Sequence, residues 1–248
     1  DNNADWSEMI SGPLSSRSGR VFGWDLIDND LAVIDTESGS VSYATGLMNI
    51  CMATGVNPVS GEILTVGSDA INEVRFEPNL NGVFVRVMYG LVNPVTLEKR
   101  TGDLNPHLDY TTHTTTGTKR EQSIGDPRGI AWNADGSLAY VTGMGSNNVI
   151  VIDASGRRPA SGDIIEVGEG PTGIVADNPR NRLYVLNRFE NTISIIDVNS
   201  RSETSRVAFF DPTPESILNG RRHFYDTHLT SGLGHVSCAS CHVDARTD

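Results

Sequence analysis

Two long stretches of the chain repeat each other at a constant offset of 44 residues. They span residues 129–153 and 173–197, and each reads Gly-Ile, then Tyr-Val, then an Asn-containing turn and an apolar run that ends in Asp. Short apolar runs separated by turn signals are typical of β-strands. A period in the forties with several strands per unit is the signature of a β-propeller blade, whose faces are buried only against neighbouring blades.

Looser copies of the unit precede this pair. Residues 29–35 match the end of the unit, and a weaker copy runs from 61 to 76. The next interval is about thirty residues too long for one repeat, so we place an insertion around 83–122. We therefore expect a mainly β chain in which residues 1–210 form about four β-propeller blades. Two stacked antiparallel sheets are the alternative, which the constant offset disfavours.

The last two units also carry the short motifs of a known family. Residues 138–142 and 183–187, each followed by an Asn-rich turn and an Ile/Val-rich strand ending in Asp, resemble the YVTN-type β-propeller family. The resemblance covers roughly residues 21–210 and is looser in the first two units. Because members of that family are seven-bladed propellers, it implies that this chain holds part of a ring. A closed four-bladed ring is the second interpretation.

A different kind of motif lies near the C-terminal end, where Cys238, Cys241 and His242 form Cys-x-x-Cys-His. Two thiols three residues apart can each add to one vinyl group of a haem, while the adjacent imidazole binds the iron. With three Cys and six His in the chain, a chance match is expected on the order of one time in a thousand. The motif predicts one covalent haem c, with His242 as the proximal iron ligand.

Two other chemistries use closely spaced cysteines. A structural zinc ion needs four ligands in a tetrahedron, and His242 directly after Cys241 is poorly placed to share one metal with both sulfurs. A thioredoxin-like redox pair is expected in a βαβ context, which the β-rich repeats do not provide. Both remain alternatives to haem attachment.

The approach to the motif adds a second resemblance. Residues 220–230 and 237–242 are similar to the first haem segment of the bacterial di-haem cytochrome c peroxidase family, which includes the methylamine-dehydrogenase maturation enzymes. The similarity covers about 25 residues. It implies thioether positions at Cys238 and Cys241, the proximal ligand at His242, and apolar contacts to the haem from Phe224 and Leu229.

This chain departs from that family in its length and haem count. The sequence given ends at Asp248, and it contains no second Cys-x-x-Cys-His. We therefore expect residues 211–248 to be the start of a cytochrome c-like haem module, completed by a further C-terminal part or by another chain. Enzymatic use of two haems would need a second haem outside the sequence given.

Several further residues are predicted to have structural or ligand roles. Residues 215–225 are predicted to be a short helix with Thr213 as its N-cap and Pro214 at its first position. Other His and Met residues are candidates for a distal iron ligand or for packing, namely His223, His228, His235, Met88 and Met144. His107 and His113 form either a solvated loop or a metal site, and Cys51 is expected to be a buried small apolar residue.

Charge and hydropathy limit the partners. The net charge of −12 argues against nucleic acid, because phosphate binding needs Lys and Arg. No apolar run approaches the roughly 20 residues that span a bilayer. We expect an electron-transfer protein of the periplasm or the extracellular space of a bacterium, with a redox partner protein. The alternatives are a di-haem peroxidase or oxidase, and a propeller binding module with an accessory haem.

Overall fold

The structure is a computed structural model that describes residues 5–24, 29–70, 85–159 and 163–246. These residues are mainly β. The strands are β1 Leu31–Ile34, β2 Val41–Ala44, β3 Ile50–Val56, β4 Ile63–Ala70, β5 Val85–Val92, β6 Lys99–Asp103, β7 Pro127–Trp132, β8 Leu138–Gly143, β9 Asn148–Asp153, β10 Ile164–Glu166, β11 Pro171–Asp177, β12 Arg182–Asn187, β13 Thr192–Asp197 and β14 Ser202–Ala208. The helices are α1 Ser7–Ile10, α2 Gly117–Glu121, α3 Glu215–Tyr225, α4 Thr227–Thr230 and α5 Cys238–Cys241.

The strands form antiparallel sheets in which neighbours in sequence are neighbours in space. Three sheets have four strands each, and we call them blade A (β3–β6), blade B (β7–β10) and blade C (β11–β14). The two strands β1 and β2 form a separate sheet, which we call the half-blade. Since residues 29–35 match the third strand of the repeat, the half-blade corresponds to the two outer strands of a blade.

The blades pack face to face, and this packing makes the core. Strand β7 lies beside both β3 and β11, so the first strands of the three blades are neighbours. Blade A and blade B share one apolar cluster that includes Leu91, Trp132 and Ile150. Blade B and blade C share a second cluster that includes Tyr140 and Ile196. Each blade therefore depends on its neighbours to bury its apolar faces.

The repeated Asn and Asp residues have structural causes. Asn147 and Asn191, 44 residues apart, turn the chain between the second and third strands with φ of 55° and 51°, a left-handed conformation that Asn tolerates. Asp153 and Asp197 end the third strands, and the Oδ1 atom of each accepts hydrogen bonds from backbone N–H groups of the next turn. The repeated Asn and Asp residues thus mark two of the three turns of a four-stranded blade.

The predicted insertion has different bounds in the structure. Residues Val85–Val92 and Lys99–Asp103 fall inside the expected 83–122 insertion, but they are the third and fourth strands of blade A: β5 pairs with β4, and β6 pairs with β5. The described residues outside the sheets here are 104–126, which include α2 and connect blade A to blade B. In the weaker copy at 61–76, Ile63–Ala70 is a second strand, and residues 71–76 lie outside the described residues.

The C-terminal helix α3 has the predicted bounds, Glu215–Tyr225, but a different cap. Pro214 is the N-cap residue, and Thr213 precedes it. The backbone N–H of Thr213 donates to Asp211 Oδ1 at 2.8 Å, and its hydroxyl accepts from Arg221 at 3.4 Å. The prediction of Thr213 as N-cap is wrong because these contacts occupy that residue instead.

Candidate functional site

Residues 211–246, which we call the C-terminal segment, lie across one end of the blades. This end carries the turns between second and third strands and the connections between blades. Thr227 N–H donates to the Gly145 carbonyl at 2.8 Å, and Asn147 donates to Asp226 at 3.2 Å. A Cβ atom on Gly125 or Gly145 would lie within 2.7 Å of the Thr227 side chain. Glycine at these positions therefore permits the close approach of the segment.

Two histidines of the C-terminal segment hydrogen-bond to blade A and to the connection between blades A and B. His228 Nε2 donates to the Ser123 carbonyl at 3.0 Å, and His235 Nε2 donates to the Val85 carbonyl at 2.9 Å. Ser123 Oγ in turn donates to the Leu233 carbonyl at 2.8 Å. The Nε2 atoms of both histidines are thus used for docking.

His235 is the more buried of the two histidines, with 1% of its surface exposed. Its ring makes an edge contact with Tyr110, the ring centroids being 5.6 Å apart. Burial lowers the pKa of His235, and Arg86 acts in the same direction, while the bond to Val85 and the charge of Asp103 oppose the shift. The neutral imidazole is therefore the form that the fold favours.

An ion-pair network joins the segment to the first strand of blade B. Arg128 donates to Asp126 at 3.1 Å and to Asp244 at 3.2 Å. The Asp126 side chain is fully buried, and burial raises its pKa although Arg128 opposes the shift. A buried carboxylate needs this cation, so the network holds the residues after His242 against the blades. Arg222 and Glu169 form a second pair at 2.5 Å.

The two motif cysteines begin and end helix α5. Residues three apart are neighbours on a helix surface, so Cys238 and Cys241 lie on one face, and both are exposed. Ala239 and Ser240, between them, are buried. Ser240 Oγ accepts from the Ser237 backbone N–H at 3.0 Å and stabilises the start of the helix. The turn therefore lies at the surface with both cysteine residues exposed.

His242 follows directly and has a defined orientation. Its Nδ1 lies 3.1 Å from the Arg246 carbonyl oxygen, which can only accept, so Nδ1 carries the proton. In the neutral imidazole this tautomer leaves the lone pair on Nε2, the form in which imidazole binds a metal. The ring of Phe224 lies 6.5 Å from the His242 ring, centroid to centroid. Two exposed thiols on one face and an imidazole with this tautomer suit covalent haem.

The other candidate ligands lie in varied surroundings. Met144 is buried, with 2% of its surface exposed. Met88 is partly buried and packs against the apolar cluster between the half-blade and blade A. His223 is exposed. Leu229, expected beside the haem, is 60% exposed, and its backbone N–H caps α4 through Asp226.

The two remaining histidines, His107 and His113, lie in the connection between blade A and blade B. His107 Nε2 donates to the Lys119 carbonyl at 3.1 Å, and burial lowers the pKa of this imidazole. His113 is exposed. In the part of the chain that the structure describes, no three His, Cys, Asp or Glu side chains are grouped as a metal site.

Cys51 lies on β3, half-buried against the cluster between the half-blade and blade A. Burial, with a smaller contribution from Asp30, raises the pKa of its thiol to about 11. A thiol in this setting packs as a small apolar group.

Some residues that position the site were missed from the sequence. Arg128, Asp126 and Gly145 lie around 100 residues before the motif they support, and a single sequence carries no signal for contacts over that distance. Gly145 alone had a local cue, because it follows the second strand of a repeat at a turn.

Comparison with solved structures supports the fold. The chain matches a chain of the nidogen/laminin complex with a TM-score of 0.51 and 11% identity, covering 73% of this chain and 56% of that one. It matches Kuenenia stuttgartiensis hydrazine synthase with a TM-score of 0.50 and 16% identity, covering 66% and 50%. The chain thus spans about half the length of either match. The fold is mainly β and propeller-like.

The sequence comparisons add no family. No protein-family model matches the chain, and no curated protein matches it. Among the described helices, none is long and apolar enough to cross a membrane.

Proposed function

We propose that this protein is a c-type haem protein for electron transfer, with the haem bound through Cys238 and Cys241 and its iron held by His242. The orientation of His242 carries the proposal, since its Nδ1–H donates to the Arg246 carbonyl at 3.1 Å and leaves Nε2 for a metal. The exposure of both thiols supports it as well, because thioether formation needs reachable sulfur atoms.

When bound, haem supplies one-electron exchange at its iron. The chain's own residues hold the group and set its surroundings. Ser240 stabilises the attachment turn, Phe224 places an aromatic ring beside His242, and Arg128 ties Asp244 to the blades. An attachment turn at the surface suits electron exchange with a redox partner protein.

The scaffold and the location belong to the same proposal. We assign the blades to the YVTN type because of their 44-residue repeat. We expect these blades to be part of a larger ring. Attachment of haem to apocytochromes takes place on the exported side of bacterial energy-transducing membranes in the family that the motif resembles. The protein is therefore proposed to work in the periplasm or outside the cell.

Haem attachment is tested by exporting the protein from a host competent in cytochrome c maturation. Peptide mass spectrometry across residues 237–246 should find haem on both Cys238 and Cys241. The double variant Cys238→Ala/Cys241→Ala should carry no covalent haem, while Cys51→Ala, a matched change outside the motif, should be loaded normally. Unmodified motif cysteines in the wild-type protein would end the proposal.

The iron ligand and the reaction are tested separately. The variant His242→Gly should keep its thioethers but change the visible spectrum, with partial restoration by free imidazole, while His223→Gly should leave the spectrum unchanged. A carrier should exchange electrons with a reduced c-type donor without consuming hydrogen peroxide. Rapid peroxide turnover with that donor would instead favour a peroxidase.

A further inference from the structure

The first strands of the three blades share an irregularity, and blade B places an arginine there. In β3, β7 and β11 the pairing register shifts near the start of the strand, as at a β-bulge. The shift leaves Met52 unpaired in β3, Arg128 in β7, and Thr172 with Gly173 in β11. A bulge re-aims the side chain that it frees from the ladder. Among these blades, blade B alone carries a charged side chain at this position, so Arg128 is not a requirement of the repeat.

The Arg128 guanidinium joins two carboxylates from distant parts of the chain. Its Nε and Nη2 donate to the two carboxylate oxygens of Asp126, at 3.1 and 3.4 Å. Asp126 is fixed in blade B, because its side chain is fully buried and its carbonyl accepts from the Met144 N–H at 2.9 Å. The remaining nitrogen, Nη1, donates to Asp244 Oδ1 at 3.2 Å. Blade B therefore holds the guanidinium rigidly and directs one donor at the C-terminal segment.

Asp244 is the middle residue of the turn that follows His242. Its φ of 54° and ψ of 32° are left-handed, a conformation that Asp tolerates better than most residues. The turn brings the chain back towards the imidazole, since the Arg246 N–H donates to the Val243 carbonyl at 3.2 Å. The Arg246 carbonyl then accepts from His242 Nδ1 at 3.1 Å. The ion pair with Arg128 thus holds the turn that supplies the acceptor for His242.

We propose that Arg128 is a positioning residue for His242: by holding Asp244, it keeps the Arg246 carbonyl on Nδ1 and the imidazole lone pair on Nε2. The inference rests on the proposed function, because it assigns blade B a part in tuning the haem iron. A hydrogen bond from Nδ1 makes the imidazole a more basic ligand. A more basic ligand favours the oxidised iron, so the contact lowers the reduction potential. Arg128 acts on the site from 116 residues away in the chain.

A spectroelectrochemical titration of the haem-loaded protein tests the effect on the iron. The double variant Arg128→Met/Asp126→Asn removes the cation and the buried anion together, so the charge of the site is unchanged. At a fixed solution potential, its ratio of reduced to oxidised haem should rise about tenfold. Loss of the arginine charge alone would lower this ratio, since a nearby cation favours the reduced iron. An unchanged or lowered ratio in protein that carries both thioethers would overturn the inference. Wild-type protein without covalent haem would instead refute the proposed function.

Two substitutions of Asp244 separate the contact from its charge. Asp244→Gly and Asp244→Asn remove the same charge and both accept the left-handed backbone, but only asparagine keeps an oxygen that can accept from Arg128. Asp244→Gly should raise the ratio of reduced to oxidised haem, and Asp244→Asn should stay closer to the wild type. Adding Asp244→Gly to the double variant should give little further change, because both act through one contact. Equal effects of the glycine and asparagine variants, or additive effects in the combination, would contradict the assignment.

The tautomer of His242 tests the positioning without any haem. Nitrogen-15 NMR of the full chain made without haem, at pH 8, reports which ring nitrogen carries the proton, and the His242 signals are those that His242→Gly lacks. The wild type should hold the proton on Nδ1, and Arg128→Met/Asp126→Asn should shift it towards Nε2. The matched variant Arg180→Met/Asp177→Asn removes an ion pair whose arginine is 70% exposed, and it should keep the wild-type tautomer. The same tautomer in all three proteins would overturn the inference, whether or not haem is attached.

Discussion

His235 and Val85, which are 150 residues apart in the chain, are joined by a hydrogen bond of 2.9 Å from the histidine Nε2 to the valine carbonyl oxygen. Val85 is the first residue of β5, and His235 stands three residues before Cys238. This bond places the residues just before the attachment turn against the first residue of β5, the third strand of blade A. The position of the cysteines therefore depends on a histidine that is not itself part of the motif.

Replacing His235 should weaken the fold. The variant His235→Phe removes the donor and leaves the buried Val85 carbonyl without its partner, which should cost about 1–3 kcal/mol in the free energy of unfolding. Urea denaturation measures the change. The same substitution at exposed His223 should change stability by less than about 0.5 kcal/mol. Equal effects at both positions would show that the His235 bond contributes nothing.

Stability should also depend on pH through His235. Burial lowers the pKa of His235 from its usual value near 6.5. The unfolded chain therefore takes up the proton first, and the free energy of unfolding should fall as pH falls below about 6.5. Urea melts at several pH values should show a shallower fall for His235→Phe, with the remainder due partly to His107, whose pKa is also lowered by burial. Parallel pH profiles for the two proteins would contradict this.

Arg128 should be needed because of Asp126. The variant Arg128→Met leaves a fully buried carboxylate unpaired, at a cost of about 3 kcal/mol. Because burial raises the Asp126 pKa, the ionised carboxylate costs stability as pH rises above its usual value near 3.8, so the loss should be larger at pH 7 than at pH 4. Denaturant melts at the two pH values measure this.

Two controls isolate the ion pair. Adding Asp126→Asn to Arg128→Met should recover most of the lost stability, since the buried charge is then gone. Arg180→Met breaks a pair with Asp177 in which the arginine side chain is 70% exposed, and it should cost at most about 1 kcal/mol. A double variant no more stable than Arg128→Met would indicate that Arg128 acts through packing alone.

A methyl group at Gly145 should displace the C-terminal segment. Its Cβ would lie 2.7 Å from Thr227 Cγ2, and Thr227 is fully buried with its N–H bound to the Gly145 carbonyl. Gly145→Ala should therefore speed trypsin cleavage after Arg221 and Arg222. At Gly220, in α3, a Cβ meets nothing within 4 Å, so Gly220→Ala should stabilise the helix by up to about 1 kcal/mol and slow cleavage. Unchanged cleavage in Gly145→Ala would mean that the contact is not tight.

The cysteines should differ in reactivity in protein made without haem. Cys238 is exposed, whereas Cys51 is half-buried and burial raises its pKa to about 11. Iodoacetamide at pH 8 should modify Cys238 at least about tenfold faster, because the thiolate is the nucleophile. Mass spectrometry of timed samples, with Cys51→Ala to assign the peptides, gives both rates. Comparable rates would place Cys51 in a more open setting.

The blade strands and their turns could be predicted from local patterns. The spacing of Asn147 and Asn191, and of Asp153 and Asp197, follows from turn chemistry that acts within a few residues. Helix α3 was also predicted from local signals. The spacing of Cys238, Cys241 and His242 identified them as one motif in the same way. The bounds of the insertion were wrong because β5 and β6 lack the repeat's sequence motif and are recognisable only by their pairing, β5 with β4 and β6 with β5.

The position of the motif was decided by contacts between distant parts of the chain. Thr227 meets Gly145, His235 meets Val85, and Asp244 meets Arg128, and each of these pairs joins residues that are close only in the folded chain. The local amino-acid pattern identifies the residues that can hold a haem, because covalent attachment and iron binding need only three side chains within five positions. Which surface they occupy, and which blade faces remain exposed beside them, depends on burial and hydrogen bonding that exist only in the folded chain.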